Sequence, residues 1–200
     1  MKYLKEYVES KIVINKSEFI GILVPIKEDD DINNAISDAK KKYPKATHYV
    51  TAWIRGEKAQ YASSNDDGEP ARTAGYPALE VLMHHGVTDI LVIVIRYFGG
   101  IKLGAGGLIR AYSKSTAETL KVAKFYKKVM AEKYLLTFNY NLIDNVEHLL
   151  GESVNYINKD YTDKVSYEVV FLENDLSLLE NIIHQIEVTK LPLEELKIEI

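Results

Sequence analysis

The 200-residue sequence contains no cysteine. Disulfides, thiolate metal sites, iron–sulfur clusters and a cysteine nucleophile are thereby excluded. No apolar run approaches the ~20 residues of a membrane helix. Met1-Lys2-Tyr3-Leu4-Lys5-Glu6 lacks the apolar stretch of a secretory signal, so the expectation is a cytoplasmic protein with no membrane partner. Histidine is sparse. His48, His84, His85, His148 and His184 form no HxxxH or HExxH pair. His84 and His85 stand about 100° apart on a helix, too far round to chelate one ion. No metal and no cofactor are expected. A GxSxG elbow is also missing, so nothing points to a serine hydrolase. There is no fixed-period repeat or low-complexity tract.

What remains is an ordinary globular composition, 46% hydrophobic and 27% charged, long enough for one large domain or two small ones. The net charge of −4 is unevenly spread: residues 1–131 sum to +5 and residues 132–200 to −9. Such a break suggests separate surfaces and separate domains. Its bland alternative is drift in the charge of solvated faces.

Periodicity predicts mixed α and β structure in the first part. Phe19 to Val24 reads as an apolar strand. Glu28 to Asp31 suits a helix N-terminus, and Ile32, Ala35, Ile36 and Ala39 continue that helix to Lys40-Lys41-Lys42. Thr47 to Ile54 reads as a strand, and Gly56 to Pro70 as turn and loop. A helix is predicted from near Pro77 to Gly86, followed by the buried strand Ile90 to Ile95, a glycine loop and a long helix. In the second part, a strand at 133–140, a helix ending at Gly151, strands at 154–161 and 165–171, a helix over 176–186 and a final strand give βαββαβ. That is the ferredoxin-like split βαβ order. The domain boundary is predicted at residues 129–133, with a short, stiff junction.

The densest chemical signal runs from Arg96 to Tyr112. Five of the 11 glycines, Gly99, Gly100, Gly104, Gly106 and Gly107, fall within nine residues. Glycine permits positive φ and close backbone approach, so this loop could aim several N–H groups at one anion. It leads from a strand into a helix N-terminus, with Arg96, Lys102 and Arg110 nearby. The pattern is neither a Walker loop nor a dinucleotide fingerprint, because no Gly-Lys-Ser/Thr follows and Ile109 stands at the third glycine position. On a continued helix, Arg110, Lys114, Lys121, Lys124 and Lys128 share one face, while Leu108, Tyr112, Thr119 and Ala123 face the sheet. From Arg96 to Lys128 there are eight Lys/Arg and one acid, Glu118. This is the electrostatic footprint of a nucleic-acid backbone site. The alternative is that the glycines serve tight packing and the lysines a solvated face. A second signal is the acidic loop with Asp66, Asp67 and Glu69. It could hold a hard cation or act in acid–base chemistry, turn the chain through Asx hydrogen bonds, or pair with the cationic glycine loop in one cleft.

Taken together, Asp66-Asp67-Gly68-Glu69-Pro70, Thr73-Ala74-Gly75, Pro77, Arg96-Tyr97-Phe98-Gly99-Gly100-Ile101-Lys102-Leu103-Gly104, Gly106-Gly107-Leu108 and Arg110-Ala111-Tyr112 resemble the signature of the IMPACT/YigZ family. Lys16-Ser17, Phe19 and Ala46-Thr47-His48 fit the same pattern. Two positions depart from it: Arg72 stands where the family usually has glycine, and Tyr49 where asparagine more often follows the histidine. The resemblance implies an α+β protein of two domains. Residues 1–131 would form a ribosomal-protein or elongation-factor-G domain IV-like domain. Residues 132–200 would form a ferredoxin-like domain resembling domain V of that factor. It also implies a link to translation regulation. Eukaryotic relatives act on the activator of a translation-initiation kinase through an additional RWD domain, and that partner does not carry over to these residues. The expected function is a regulator binding RNA or ribosomal components through the glycine-rich cleft, and catalysis is not expected. Two alternatives stay open: an enzyme acting on a small phosphorylated molecule in the same cleft, or a protein-interaction module.

Overall fold

The computed structural model describes residues 1–172 and 176–200. The chain divides into two compact units, residues 1–127 with 198–200, and residues 128–197. Among the described residues the protein is mixed α+β, with two sheets and four α-helices.

The first unit contains β1 (Lys2–Leu4), β2 (Val8–Ile14), β3 (Ser17–Pro25), α1 (Asp29–Lys42), β4 (His48–Arg55), β5 (Tyr61–Asn65), α2 (Gly75–His85), β6 (Val87–Thr88), β7 (Ile90–Tyr97) and α3 (Gly104–Val122). Five of these strands form an antiparallel sheet in the order β2-β3-β7-β4-β5. The unrelieved apolar run of β7 is explained by its central place, because helices cover both faces of the sheet. On one face α2 and α3 bury Phe19, Val50, Val92, Val94, Leu82 and Tyr112. On the other α1 covers Ile20, Ile22, Leu91, Ile93 and Ile95. The acidic start of α1 works as expected: Asp31 accepts the backbone N–H groups of Lys27 at 2.6 Å and Glu28 at 3.0 Å in a capping box. Gly86 stops α2 in the left-handed conformation, φ 71°.

Two details differ from the sequence expectation here. The segment read as turn and loop contains a strand, β5, whose polar residues Tyr61-Ala62-Ser63-Ser64-Asn65 carry no apolar alternation to reveal it. And α2 begins two residues ahead of Pro77, because the Asp66 carboxylate caps its first turn.

The second unit is built on β8 (Phe125–Phe138), α4 (Ile143–Leu150), β9 (Val154–Tyr161), β10 (Val165–Phe171) and β11 (Glu187–Glu199). The strand order is β11-β8-β10-β9. Within the first unit, the opening residues of β8 pair with β1 through Tyr3↔Tyr126 and Leu4↔Phe125. Residues 133–138 pair with β10, from Lys133↔Val170 to Phe138↔Val165. The core gathers Leu136, Phe138, Val146, Leu150, Val165, Tyr167 and Leu179. The helix expected over 176–186 is instead two short 3₁₀ turns, Leu176–Leu179 and Ile183–Gln185. Asn181 and the β-branched pair Ile182-Ile183 lower helix propensity. Two turns suffice to bury Leu179, Ile182 and Ile186.

Candidate functional site

β4, β7 and the start of α3 meet around a cleft of about 300 Å³, lined by Thr47, His48, Glu69, Phe98, Lys102 and the first residues of α3. Arg96, near the end of β7, lies directly across from His48 on β4 and Phe19 on β3. It is only 5% exposed. A guanidinium so buried needs a counter-charge, and Glu69 supplies it: Arg96 Nη1 donates to Glu69 Oε1 at 2.6 Å. The buried Tyr112 hydroxyl donates to the same oxygen at 2.7 Å, and His48 Nε2 lies 3.7 Å from it. Burial, then the bond to Glu69, raises the Tyr112 pKa well above the ordinary tyrosine range. Among the described residues, the Arg96 Nε has no hydrogen-bond partner. Its guanidinium packs against the rings of Phe19 and Phe98, 5.5 and 5.4 Å from their centroids.

The acidic loop is mostly structural. Asp66 accepts the N–H groups of Arg72 at 2.8 Å, Ala74 at 3.0 Å and Gly75 at 2.8 Å, so its carboxylate fixes the turn and caps α2. Asp67 accepts the Tyr49 N–H at 2.6 Å, and its carbonyl bonds His48 Nδ1 at 2.8 Å. Of the three acids, Glu69 alone makes a contact with the cations named from the sequence. The other two carboxylates are consumed by backbone donors, which is what Asx turns do. Arg72 adopts φ 60°, so the left-handed geometry that favours glycine is kept with a larger side chain. Its guanidinium stacks 4.0 Å from the Tyr76 ring centroid.

The glycine loop divides its work. Gly99 is a packing residue: a Cβ there would fall 2.0 Å from the Lys16 backbone. Its N–H donates to Ser17 Oγ at 3.2 Å, and the Phe98 N–H donates to Thr47 Oγ1 at 3.1 Å. These two amides are therefore committed to the protein. Gly100 and Gly104 have positive φ, 83° and 68°, with open space around them. From Gly104 onward the first turn of α3 has no side-chain cap and no acidic residue. Its orphan N–H groups and the positive end of its dipole meet the cleft. Lys102 lines this end, and Gly106 and Gly107 lie within the first turn. Arg110 reaches back over it, its Nη1 3.7 Å from where a Gly106 Cβ would stand.

The long basic stripe is shorter than expected. α3 ends at Val122, Ala123 is extended (φ −81°, ψ 148°), and Phe125 enters β8. Lys124 and Lys128 are therefore off the helix, and Lys128 pairs with Glu195 at 3.2 Å. The exposed stripe is Arg110, Lys114 and Lys121, with Lys121 paired to Glu118 at 2.7 Å. Ser17, Thr47, Phe98 and Tyr112 stand in the motif but carried no site role in the sequence reading. Tyr112 had a usable signal, since a tyrosine on a buried face needs a partner for its hydroxyl.

This geometry falls within residues 15–120, which match the model of the Impact N-terminal domain. The chain belongs to the IMPACT family. It is 38% identical over 174 residues to the IMPACT family member YvyE of Bacillus subtilis, covering 86% of this chain and 80% of that one. Against YigZ of Escherichia coli, also an IMPACT family member, identity is 36% over 151 residues, 74% of each chain. A crystal structure described as a hypothetical protein superposes with a TM-score of 0.61 at 30% identity, covering 96% of this chain and 98% of that one. The IMPACT match contains every residue named around the cleft. No helix among the described residues is long and apolar enough to cross a membrane.

Proposed function

We propose that the protein binds RNA or ribosomal components through the cleft at the start of α3 and acts in translation-linked regulation. The observation that carries this reading is the uncapped, acid-free first turn of α3 opening beside Lys102, with Arg110 behind it and Phe98 exposed at the rim. Orphan helix amides and cations suit a phosphate, and an exposed ring suits an unstacked base. The Glu69 carboxylate is tied to Arg96 and Tyr112. That favours a rigid floor over a free acid–base group, and hence binding over catalysis. Membership in the IMPACT family supports the translation link.

At the level of fold, the strand order of the second unit supports a ferredoxin-like domain. The likeness of the first part to domain IV of elongation factor G, and a domain boundary near residue 131, belong to the same proposal. The concave shape of the cleft favours one second reading, a small phosphorylated ligand, since about 300 Å³ lies at the lower end of small-molecule sites.

Fluorescence anisotropy with a labelled single-stranded RNA separates the two. The RNA reading expects binding that Phe98→Ala weakens and that a free mononucleotide displaces poorly. Full displacement by the mononucleotide at matched concentration favours the small ligand. No binding at low salt overturns the RNA reading.

A further inference from the structure

His48 is anchored at one ring nitrogen and free at the other. Its Nδ1 lies 2.8 Å from the Asp67 carbonyl oxygen. A carbonyl only accepts, so Nδ1 carries the proton, and in the neutral ring Nε2 presents a lone pair. Gly68 closes on the anchored edge, where a Cβ would stand 3.6 Å from Nδ1. Nε2 lines the cleft without a hydrogen bond among the described residues. Glu69 Oε1, at 3.7 Å, is beyond hydrogen-bond reach and accepts instead from Arg96 and Tyr112. Two acceptors thus stand close together on the cleft floor with no donor between them.

The same cleft reaches the start of α3, where the uncapped amides and Lys102 offer only donors and positive charge. A ligand that suits both carries an anion and, close beside it, a hydroxyl able to donate. At about 300 Å³ there is room for little more than one nucleotide. In a ribonucleotide the 2′-hydroxyl stands on the carbon next to the one that bears the 3′-phosphate. We propose that His48 Nε2 accepts a hydrogen bond from this 2′-hydroxyl, which makes His48 the residue by which the cleft distinguishes RNA from DNA. The proposal rests on the RNA reading of the cleft and assigns its acceptor end.

Anisotropy of the full chain with a labelled oligouridylate and its 2′-fluoro counterpart tests this, at low salt and at pH ~8, above the ordinary histidine range. Fluorine keeps the sugar's shape and cannot donate. The wild type is expected to bind the 2′-hydroxyl oligomer about three- to ten-fold more tightly, the worth of one hydrogen bond. His48→Ala is expected to lose that preference and bind both oligomers alike. Equal binding of the two by the wild type, or a preference that survives in His48→Ala, overturns the proposal and leaves the RNA reading standing. Binding of neither oligomer overturns both. Thermal melts check that the variant folds. Should His48→Ala unfold, His48→Phe, which keeps a ring and removes the nitrogens, is read by the same criterion.

Discussion

Removing the Glu69 carboxylate leaves the Arg96 guanidinium buried with no counter-charge. Glu69→Ala is therefore expected to cost about 3–5 kcal/mol of stability by urea unfolding. Tyr112 adds a pH dependence. Its hydroxyl is held neutral by burial and then by the Glu69 bond, whereas an unfolded tyrosine ionises near pH ~10. The stability from that difference is complete below about pH 10 and is lost as pH rises above it, because the unfolded chain releases its proton first. Urea midpoints from pH 8 to 11 should fall less steeply for Tyr112→Phe than for the wild type. At Arg72, left-handed strain and the ring contact with Tyr76 oppose each other. Arg72→Gly relieves about 1–2 kcal/mol of strain, but loses roughly 0.5–1 kcal/mol of stacking and gains chain entropy, so its melting temperature should barely move. Arg72→Val keeps the strain and adds a β-branch, and should be clearly less stable than both. At this scale the sequence offered pairing of the acidic loop, Asp66, Asp67 and Glu69, with the cations of the glycine loop as one of several readings, without singling out Glu69 with Arg96. For Asp66 and Asp67 the turn-forming alternative holds, since their carboxylates bond backbone N–H groups; which donors they meet, at Arg72, Ala74, Gly75 and Tyr49, is set by the turn itself and leaves no trace in the sequence.

The loop into α3 behaves as two halves, and substitutions should tell them apart. Gly99→Ala forces a Cβ into the Lys16 backbone and should cost at least the ~1–3 kcal/mol of overpacking. Gly100→Ala meets open space and only the left-handed penalty of about 1–2 kcal/mol. Denaturant unfolding of the two variants checks the ranking, and equal losses would refute the division. The helix α1 was legible because capping and apolar spacing agreed, and β7 because its apolar run is unbroken. Two elements were not. β5 pairs through backbone groups that leave no apolar trace, and the stretch 176–186 keeps helical spacing while its residues favour short 3₁₀ turns. The end of α3 was misjudged for a related reason: lysines continue at helical spacing past Val122, while the backbone turns to serve Phe125.

For the whole molecule, positive charge gathers in the first 131 residues and negative charge in the remainder, and this segregation favours polyanion binding by the first part alone. Within that part, Lys114→Glu with Lys121→Glu should weaken RNA binding broadly with little sequence preference, but less than changes at Lys102, because neither residue lines the cleft. Both side chains are exposed, and the main structural cost is the lost Lys121–Glu118 pair and its replacement by like charges, so stability should fall by no more than about 1 kcal/mol. The measurement closest to the central claim is the salt dependence of RNA affinity for the full-length wild type and for Lys102→Ala with Arg110→Ala. Removing these two cations from the start of α3 should flatten the log–log slope by roughly 0.7–0.9 for each phosphate they neutralise, and should lower affinity at every salt concentration. Equal slopes and equal affinities for the two proteins would contradict a phosphate site at the start of α3.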